Sequence, residues 1–155
     1  MATLLTMGPG VRRGDASIRS AQHPMKLGYT IIYVPNVDAS LKFFSAAFGF
    51  EVKFLHESGT YGELATGETP LAFAAHKLGH ANFPGGHVAA SESAQPLGME
   101  LGLVTDDVTN AHARALQHGA TELSQPGEKP WGQVVSYVRC PDGTLVELCT
   151  PVGGA

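Results

Sequence analysis

The sequence predicts an α+β fold built from two β-α-β-β-β modules. In each half of the chain, strand-like segments rich in β-branched and aromatic residues surround one segment of helical periodicity. The element order of residues 27–76 recurs in residues 98–150, and Gly49 and Gly119 end the helix of each half. With 155 residues, 43% of them hydrophobic and 15% charged, the chain also suits one ordinary globular domain.

The first module is predicted over residues 26–76, after a tail of residues 1–25 that has no sustained periodicity and is expected to be disordered. Its first strand covers residues 27–34 and breaks at Pro35. Asp38 is the predicted cap of a helix over residues 39–48. Three strands complete the module, at residues 50–54, 61–64 and 70–76.

The second module is predicted over residues 98–152, after a linker of residues 77–97 that is rich in Gly, Ala, Ser and Pro. A linker of this length is typical of a flexible crossover or of a flap over a binding site. The module repeats the order of the first, with a helix at residues 108–118. Its strands are predicted at residues 99–105, 120–123, 132–139 and 144–150.

Charge and cysteine usage limit the classes of partner. A formal charge of −4, with only 10 lysine and arginine residues and no basic stripe, argues against nucleic acid. No apolar run approaches the roughly 20 residues that span a bilayer, so no membrane partner is expected. A hairpin closed by Pro141–Gly143 would hold Cys140 and Cys149 too far apart for a disulfide. Free thiols favour a reducing compartment, and we predict a cytoplasmic protein.

Strand parity predicts which side chains face away from the helices. Successive strand residues point to opposite faces, and in each module one set of the first strand is apolar enough to pack under a helix. The other set is expected on a concave surface; it comprises Tyr29, Ile31 and Tyr33 in the first module and Glu100, Gly102 and Val104 in the second. Superposing the last strands of the two halves also places Phe73 on Glu147.

Two segments, "YTIIYVPNVDASLKFFSAAFGFEVKF" and "PWGQVVSYVRCPDGTLVELCTP", resemble the opening and closing motifs of the vicinal-oxygen-chelate superfamily. This superfamily includes glyoxalase I, bleomycin-resistance proteins, fosfomycin-resistance enzymes and extradiol dioxygenases. The resemblance covers residues 26–152 and implies the glyoxalase-like fold, in which two cupped mixed sheets form a cleft. Such clefts are often completed by a second subunit, so a homodimer is expected.

In the metal-binding members of the superfamily, ligands come from the first and last strands of each module. Carried over by residue, the resemblance implies four ligand positions, Tyr29, Phe73, Glu100 and Glu147. A neutral phenol is a poor ligand and phenylalanine cannot bind a metal, which leaves two carboxylates where three or four donors are usual. The expectation is therefore no cofactor, with a divalent ion such as Zn, Ni, Mn or Fe left open. The seven histidines are expected to be exposed or capping.

These residues favour the binding of a small organic ligand in an aromatic-lined cleft, as in the bleomycin-resistance proteins. The predicted ligand-binding residues are Tyr29, Tyr33, Phe73 and Trp131. Glu100 and Glu147 are the candidate catalytic residues; they could share a metal, act as acid and base, bind a cationic group of the ligand, or simply pair with Arg139 or Lys129. The alternative functions are a metal-dependent lyase or isomerase of the glyoxalase type, a less favoured extradiol dioxygenase, and an interaction module without a ligand.

Overall fold

Two four-stranded mixed sheets and three helices make up the computed structural model, which describes residues 23–153. The elements in chain order are β1 (Thr30–Val34), α1 (Val37–Phe48), β2 (Glu51–Leu55), β3 (Tyr61–Ala65), β4 (Leu71–Ala75), α2 (His76–Asn82), β5 (Glu100–Val104), α3 (Val108–Gln117), β6 (Thr121–Glu128), β7 (Val134–Arg139) and β8 (Leu145–Cys149). The predicted α+β fold of two modules is confirmed. All but the last three residues of the predicted tail lie outside the described range.

Both sheets have the same strand order, β1-β4-β3-β2 in the first and β5-β8-β7-β6 in the second. The first strand of each module pairs in parallel with its last strand, and the other pairs are antiparallel. A parallel pair needs a crossover connection, and α1 and α3 supply it. Each module therefore presents one sheet face to its helix and leaves the other face free to form a cup.

The core lies between the helices and the sheet faces beneath them. Phe44 of α1 packs on Phe73 of β4 with ring centroids 5.0 Å apart. Both side chains are fully buried, as are Val146 and Leu148 from the second sheet. Helices α1 and α3 also connect the two modules, because the side chain of Arg114 on α3 donates a hydrogen bond to the carbonyl of Ala46 on α1. The helix layer is therefore shared, and the concave sheet faces point away from it.

Helix α1 begins at Val37, two residues earlier than predicted, and its N-cap is Asn36 rather than Asp38. The side-chain oxygen of Asn36 accepts from the Ala39 amide, and Asp38 instead pairs with Lys42 one turn along the helix. Both roles suit an acid or amide near a helix N-terminus, so the sequence pattern alone does not separate them. The helix ends at Gly49, whose φ of 78° is readily adopted only without a side chain.

Two further elements differ from the sequence prediction. Helix α2 lies inside the segment predicted as a linker, immediately after β4. Strand β6 continues to Glu128 rather than ending at residue 123; it passes through Pro126 and Gly127 with two register shifts against β7. Proline and glycine normally end a strand, and at this sheet edge an irregular ladder tolerates them. No helix within residues 23–153 has the length and apolar character needed to cross a membrane.

Candidate functional site

The concave face of the second sheet carries two carboxylates on neighbouring strands. Glu100 lies on β5 and Glu147 on β8, where Glu147 is in register with Gly102. Parity places both on the side opposite Leu101 and Leu148, which pack into the core beneath α3. The structure therefore brings the two predicted acids together on one face, as the sequence pattern implied.

Gly102 leaves room for the Glu147 side chain to lie across the sheet. A Cβ atom at Gly102 would lie 3.8 Å from Oε2 of Glu147. The pKa of Glu100 is raised, first by burial and then by the neighbouring charge of Glu147. A carboxyl with a raised pKa beside a second carboxylate suits proton transfer or the binding of one shared cationic ligand.

Tyr137 of β7 completes this group and was missed by the sequence analysis. It is in register with Glu147, so the two side chains lie side by side on the concave face. Burial and then the charges of Glu147 and Glu100 raise the pKa of Tyr137, so the phenol keeps its proton at neutral pH. The strand alternation Val135, Tyr137, Arg139 could have shown that Tyr137 faces the cup.

Within residues 23–153, no lysine or arginine forms an ion pair with either carboxylate. The sequence analysis considered Arg139 as a partner of these acids, but its side chain contacts the segment between α2 and β5 instead. Its guanidinium donates to the carbonyls of Ala90 and Ser93 at 2.7 and 2.9 Å. The acids thus lie on an open apolar face without a cationic side chain to neutralise them.

A cavity of about 450 Å³ lies between the edges of the two sheets, next to this carboxylate pair. Of the predicted site residues, Tyr33 and Glu100 line it. Its other walls are mainly apolar and come from β1, from the segment before β5 and from the start of β8: Ile31, Val88, Leu97, Met99 and Leu145. His87 also lines it, and no sequence signal had placed a histidine there.

A second groove, of about 720 Å³, lies between α1 and α3 beside β5. Its floor includes Leu71, Leu101 and Leu148, whose side chains face the helices and contribute to the core. Thr and Asn side chains and the exposed Arg114 form its rim. This groove is larger and is also bordered by Glu100 and Asp107, but it lies mainly on the helix side of the sheets and neither Glu147 nor Tyr137 lines it.

The prediction that Phe73 lines the cleft is wrong. Phe73 pairs with Ile32 of β1 and packs under α1 with 0% of its surface exposed. The superposition that matched Phe73 with Glu147 was one residue out of register. Thr30 pairs with Leu71 in the first sheet and Leu101 with Val146 in the second, so the counterpart of Glu147 is Ala72.

Tyr29 and Trp131 lie outside the cavity. Tyr29 precedes β1 and is 57% exposed; it is close enough to influence the titration of Tyr61 on the concave face of the first sheet. Trp131 occupies the turn between β6 and β7, is 65% exposed, and donates its indole N–H to Gln133. Both residues remain candidates for contact with a ligand or a second subunit rather than parts of the cavity wall.

The first cup holds a buried carboxylate that the sequence analysis did not single out. Glu63 of β3 is 6% exposed and accepts a hydrogen bond of 2.8 Å from the Tyr61 hydroxyl. Burial and then Glu63 raise the pKa of Tyr61 to about 12. Lys53 lies 3.5 Å from Glu63 on the same face, because its neighbour Val52 pairs with Leu64 on the helix side of the sheet. The register of β2 then shifts between Val52 and Phe54, and this bulge turns Phe54 to the concave face, where strict alternation would not have placed it.

Two groups of histidines make specific hydrogen bonds, whereas exposed or capping roles were predicted for them. His76 and His87 form a hydrogen-bonded pair, and the ring of His87 stacks on Tyr33. On α3, His112 is buried and lies within hydrogen-bonding distance of Ser136 and Glu122. This serine, histidine and glutamate set has the composition of a hydrolase triad, but Ser136 is fully buried and out of reach of a substrate. Its role is therefore to satisfy polar groups in the core.

The donors present do not fit a catalytic metal. Zinc and related ions take three or four nitrogen, sulfur or oxygen ligands from the protein. At the four positions implied by family resemblance, the corrected register supplies Tyr29, Ala72, Glu100 and Glu147. No group of three or more His, Cys, Asp or Glu side chains in the described range is arranged to hold an ion. Glu100 and Glu147 therefore remain a two-carboxylate site.

A family model for the Glyoxalase/Bleomycin resistance protein/Dioxygenase superfamily matches residues 26–148. Among solved structures, the chain is similar to a glyoxalase-related enzyme from Fulvimarina pelagi, with a TM-score of 0.69 and 20% identity over 84% of this chain and 94% of that one. A glyoxalase/bleomycin resistance protein/dioxygenase family enzyme from Burkholderia phytofirmans PsJN gives 0.67 at 20% identity, over 81% and 98%. TioX from Micromonospora sp. ML1 gives 0.60 at 18% identity, also over 81% and 98%. Such identities support the fold alone, and a comparison with curated protein sequences finds no match.

Proposed function

Because the chain belongs to the Glyoxalase/Bleomycin resistance protein/Dioxygenase superfamily, we propose that it binds a small organic molecule in the cavity between Tyr33 and Glu100. The observation that carries the proposal is the pair of carboxylates, Glu100 and Glu147, on an apolar concave face without a cationic side chain beside them. Glu147 is half-buried and Glu100 is exposed, so a ligand that covers this face and removes water from both acids must itself supply the donor or positive charge that pairs with them.

The size and lining of the cavity define the ligand class. Its volume of about 450 Å³ falls in the range of drug-sized ligands. Its walls are mainly aliphatic, and Tyr33 and His87 offer aromatic surfaces. The ligand is therefore a largely apolar, ring-containing molecule. It carries an amine or another hydrogen-bond donor that reaches Glu100.

We also propose that the functional unit is a homodimer. Apolar side chains are exposed on both concave faces, among them Ile31 and Phe54 in the first sheet and Val104 in the second. Contiguous exposed apolar surface usually marks an interface or a ligand site. A second copy of the chain would cover these faces and could set Glu63 and Lys53 of one protomer near the site of the other.

The alternative, a metal-dependent lyase or isomerase of the glyoxalase type, has less support because the donor set supplies two carboxylates. Proton transfer without a metal fits these residues better than metal-dependent chemistry, since Glu100 has a raised pKa beside Glu147. In that case Glu100 would donate a proton and Glu147 would accept one. Nothing in the cavity fixes a reacting carbon, so binding remains the primary proposal.

The experiment is a calorimetric screen of aromatic amines and their neutral isosteres against the wild type and three variants. Glu100→Gln and Glu147→Gln keep the shape of the site and remove one charge each. Loss of a charged hydrogen bond is worth about 1.5–3 kcal/mol, so each variant should bind an amine about 10- to 150-fold more weakly. Glu128→Gln, at an exposed position of β6, is the matched control and should bind normally. Equal affinity of all four proteins for every amine would contradict the proposal.

A further inference from the structure

Residues 76–90, which we call the histidine clasp, cover part of the first cup and reach the cavity. The clasp consists of α2 and the loop after it. The ring of His87 stacks on Tyr33 of β1, with centroids 4.6 Å apart and an interplanar angle of 24°. Phe83 meets the same tyrosine edge-on at 6.4 Å. His87 and Val88 then form one wall of the cavity, so the clasp decides whether that wall is present.

The clasp is held by histidines rather than by an apolar core. Nδ1 of His76 lies 2.8 Å from Nε2 of His87, and His80 stacks on the other side of His87 with centroids 5.1 Å apart. Packing here is tight, because a Cβ atom at Gly79 would lie 2.8 Å from the His87 ring. The remaining ring nitrogens, Nε2 of His76 and Nδ1 of His87, are buried without a hydrogen-bond partner in the described part of the chain.

The hydrogen-bonded pair of His76 and His87 accepts at most one additional proton. In a hydrogen bond between two imidazoles one nitrogen donates and the other must offer a lone pair. A second proton removes the acceptor and sets two cationic rings with centroids 5.0 Å apart. Burial and then His87 lower the pKa of His76, His80 lowers it further, and Glu92 opposes this trend. On the other side His87 faces the Tyr33 phenol and, across the cavity, Glu100.

We propose that protonation of the His76, His80 and His87 cluster releases the clasp and uncovers the cavity, so that ligand access is gated by pH. The gating of ligand entry rests on the proposed function, whereas release of the clasp is a property of the free protein. The pKa of His76 is lower in the closed state than its ordinary value near 6.5. The open state therefore binds more protons, and the closed state loses stability as pH falls below about 6.5.

Hydrogen exchange of the ligand-free protein tests the release directly. After correction for the intrinsic exchange chemistry, protection of the α2 amides, such as Phe83 N–H bonded to the Gly79 carbonyl, should fall at least tenfold between pH 7.5 and 5.5. Amides of β7 serve as an internal reference and should keep their protection. Protection of α2 that does not change with pH would overturn the proposal.

A double variant, His76→Asn with His87→Gln, can keep a side-chain hydrogen bond but cannot titrate. Its α2 protection should be the same at both pH values, while His118→Asn, at an exposed histidine, should retain the tenfold change. A double variant with the full pH response would overturn the proposal. Should the double variant fail to fold, the wild-type exchange series still decides.

The neutral naphthalene dye prodan reports access to the cavity. In stopped-flow mixing it should enter the wild type at least tenfold faster at pH 5.5 than at pH 7.5, and enter the double variant at one rate. Equal entry rates in a protein whose α2 exchange responds to pH would refute gating by the clasp. Release of the clasp without any dye entry at either pH would refute gating and leave the release standing, whereas the proposed function fails separately if no amine binds in the calorimetric screen.

Discussion

Replacement of Glu147 by glutamine should stabilise the protein at neutral pH. The change keeps the side-chain shape but removes one of two neighbouring negative charges. The pKa of Glu100 is raised by burial and by Glu147, so the folded state holds its proton more tightly than the unfolded state does. Stability is therefore lost as pH rises above the unfolded value of about 4.3, and the variant recovers part of that loss.

The register of β5 and β8 sets the size of the effect. Glu147 pairs with Gly102, two residues beyond Glu100, so the two acids are diagonal neighbours. At a diagonal separation of ~7 Å, two unit charges in a water-like dielectric repel by about 0.6 kcal/mol. Glu100 is exposed, so solvent screening keeps the gain at roughly 0.5–1 kcal/mol. For a domain of this size that corresponds to a rise of about 1–4 °C in Tm.

Thermal melts at pH 7 and pH 4, each at low and high salt and with and without chelator, provide the assay. The gain should shrink in high salt and shrink further at pH 4, where the raised pKa of Glu100 keeps most of its carboxyl protonated. Glu128→Gln, which removes a charge elsewhere on the same sheet, should leave Tm nearly unchanged. A lower Tm for Glu147→Gln at pH 7, matched by a fall in wild-type Tm on chelation, would refute the reasoning and indicate a bound divalent ion.

Three further outcomes follow from the packing. Phe73→Ala should destabilise the fold by about 3–5 kcal/mol in urea denaturation, because the ring fills the core against Phe44; a cost below 1 kcal/mol would contradict the buried placement. Cys140 and Cys149 are both free and buried with raised thiol pKa values, so a thiol reagent should label them slowly in the native protein and find two groups after unfolding without reductant. Gly143→Ala should destabilise the fold by about 1–3 kcal/mol, since Gly143 has a φ of 92° and its backbone abuts Ala90. Unchanged stability would contradict the contact between Gly143 and the segment that joins α2 to β5.

The element order was predictable because it depends on local signals. Turn glycines and apolar periodicity identified the strands, and parity in the first strands correctly separated Ile32 from the concave set and Glu100 from Leu101. Phe73 was misplaced because its partner residue in β1 is set by pairing across the sheet, which no local pattern records. The same holds for Phe54, whose direction depends on a bulge that forms only against β3.

The cavity wall was the least predictable part. Helix α2 is short and contains a glycine, and its His80 stacks on His87, which in turn stacks on Tyr33, in place of an apolar stripe. His87 reaches the cavity only because the segment folds back over the first sheet. Neither contact has a signature in the spacing of the sequence, so the aromatic lining was assigned to Phe73 and Trp131 instead.

The contacts of Arg139 limit how the chain between the sheets can move. Its guanidinium holds the carbonyls of Ala90 and Ser93, while Ala75 is anchored in β4. Residues 76–89 therefore form a loop that is closed by β4 at one end and by the Arg139 side chain at the other. Without the guanidinium the next fixed point along the chain would be β5, so the loop would extend to residue 99 and closing it would cost more conformational entropy.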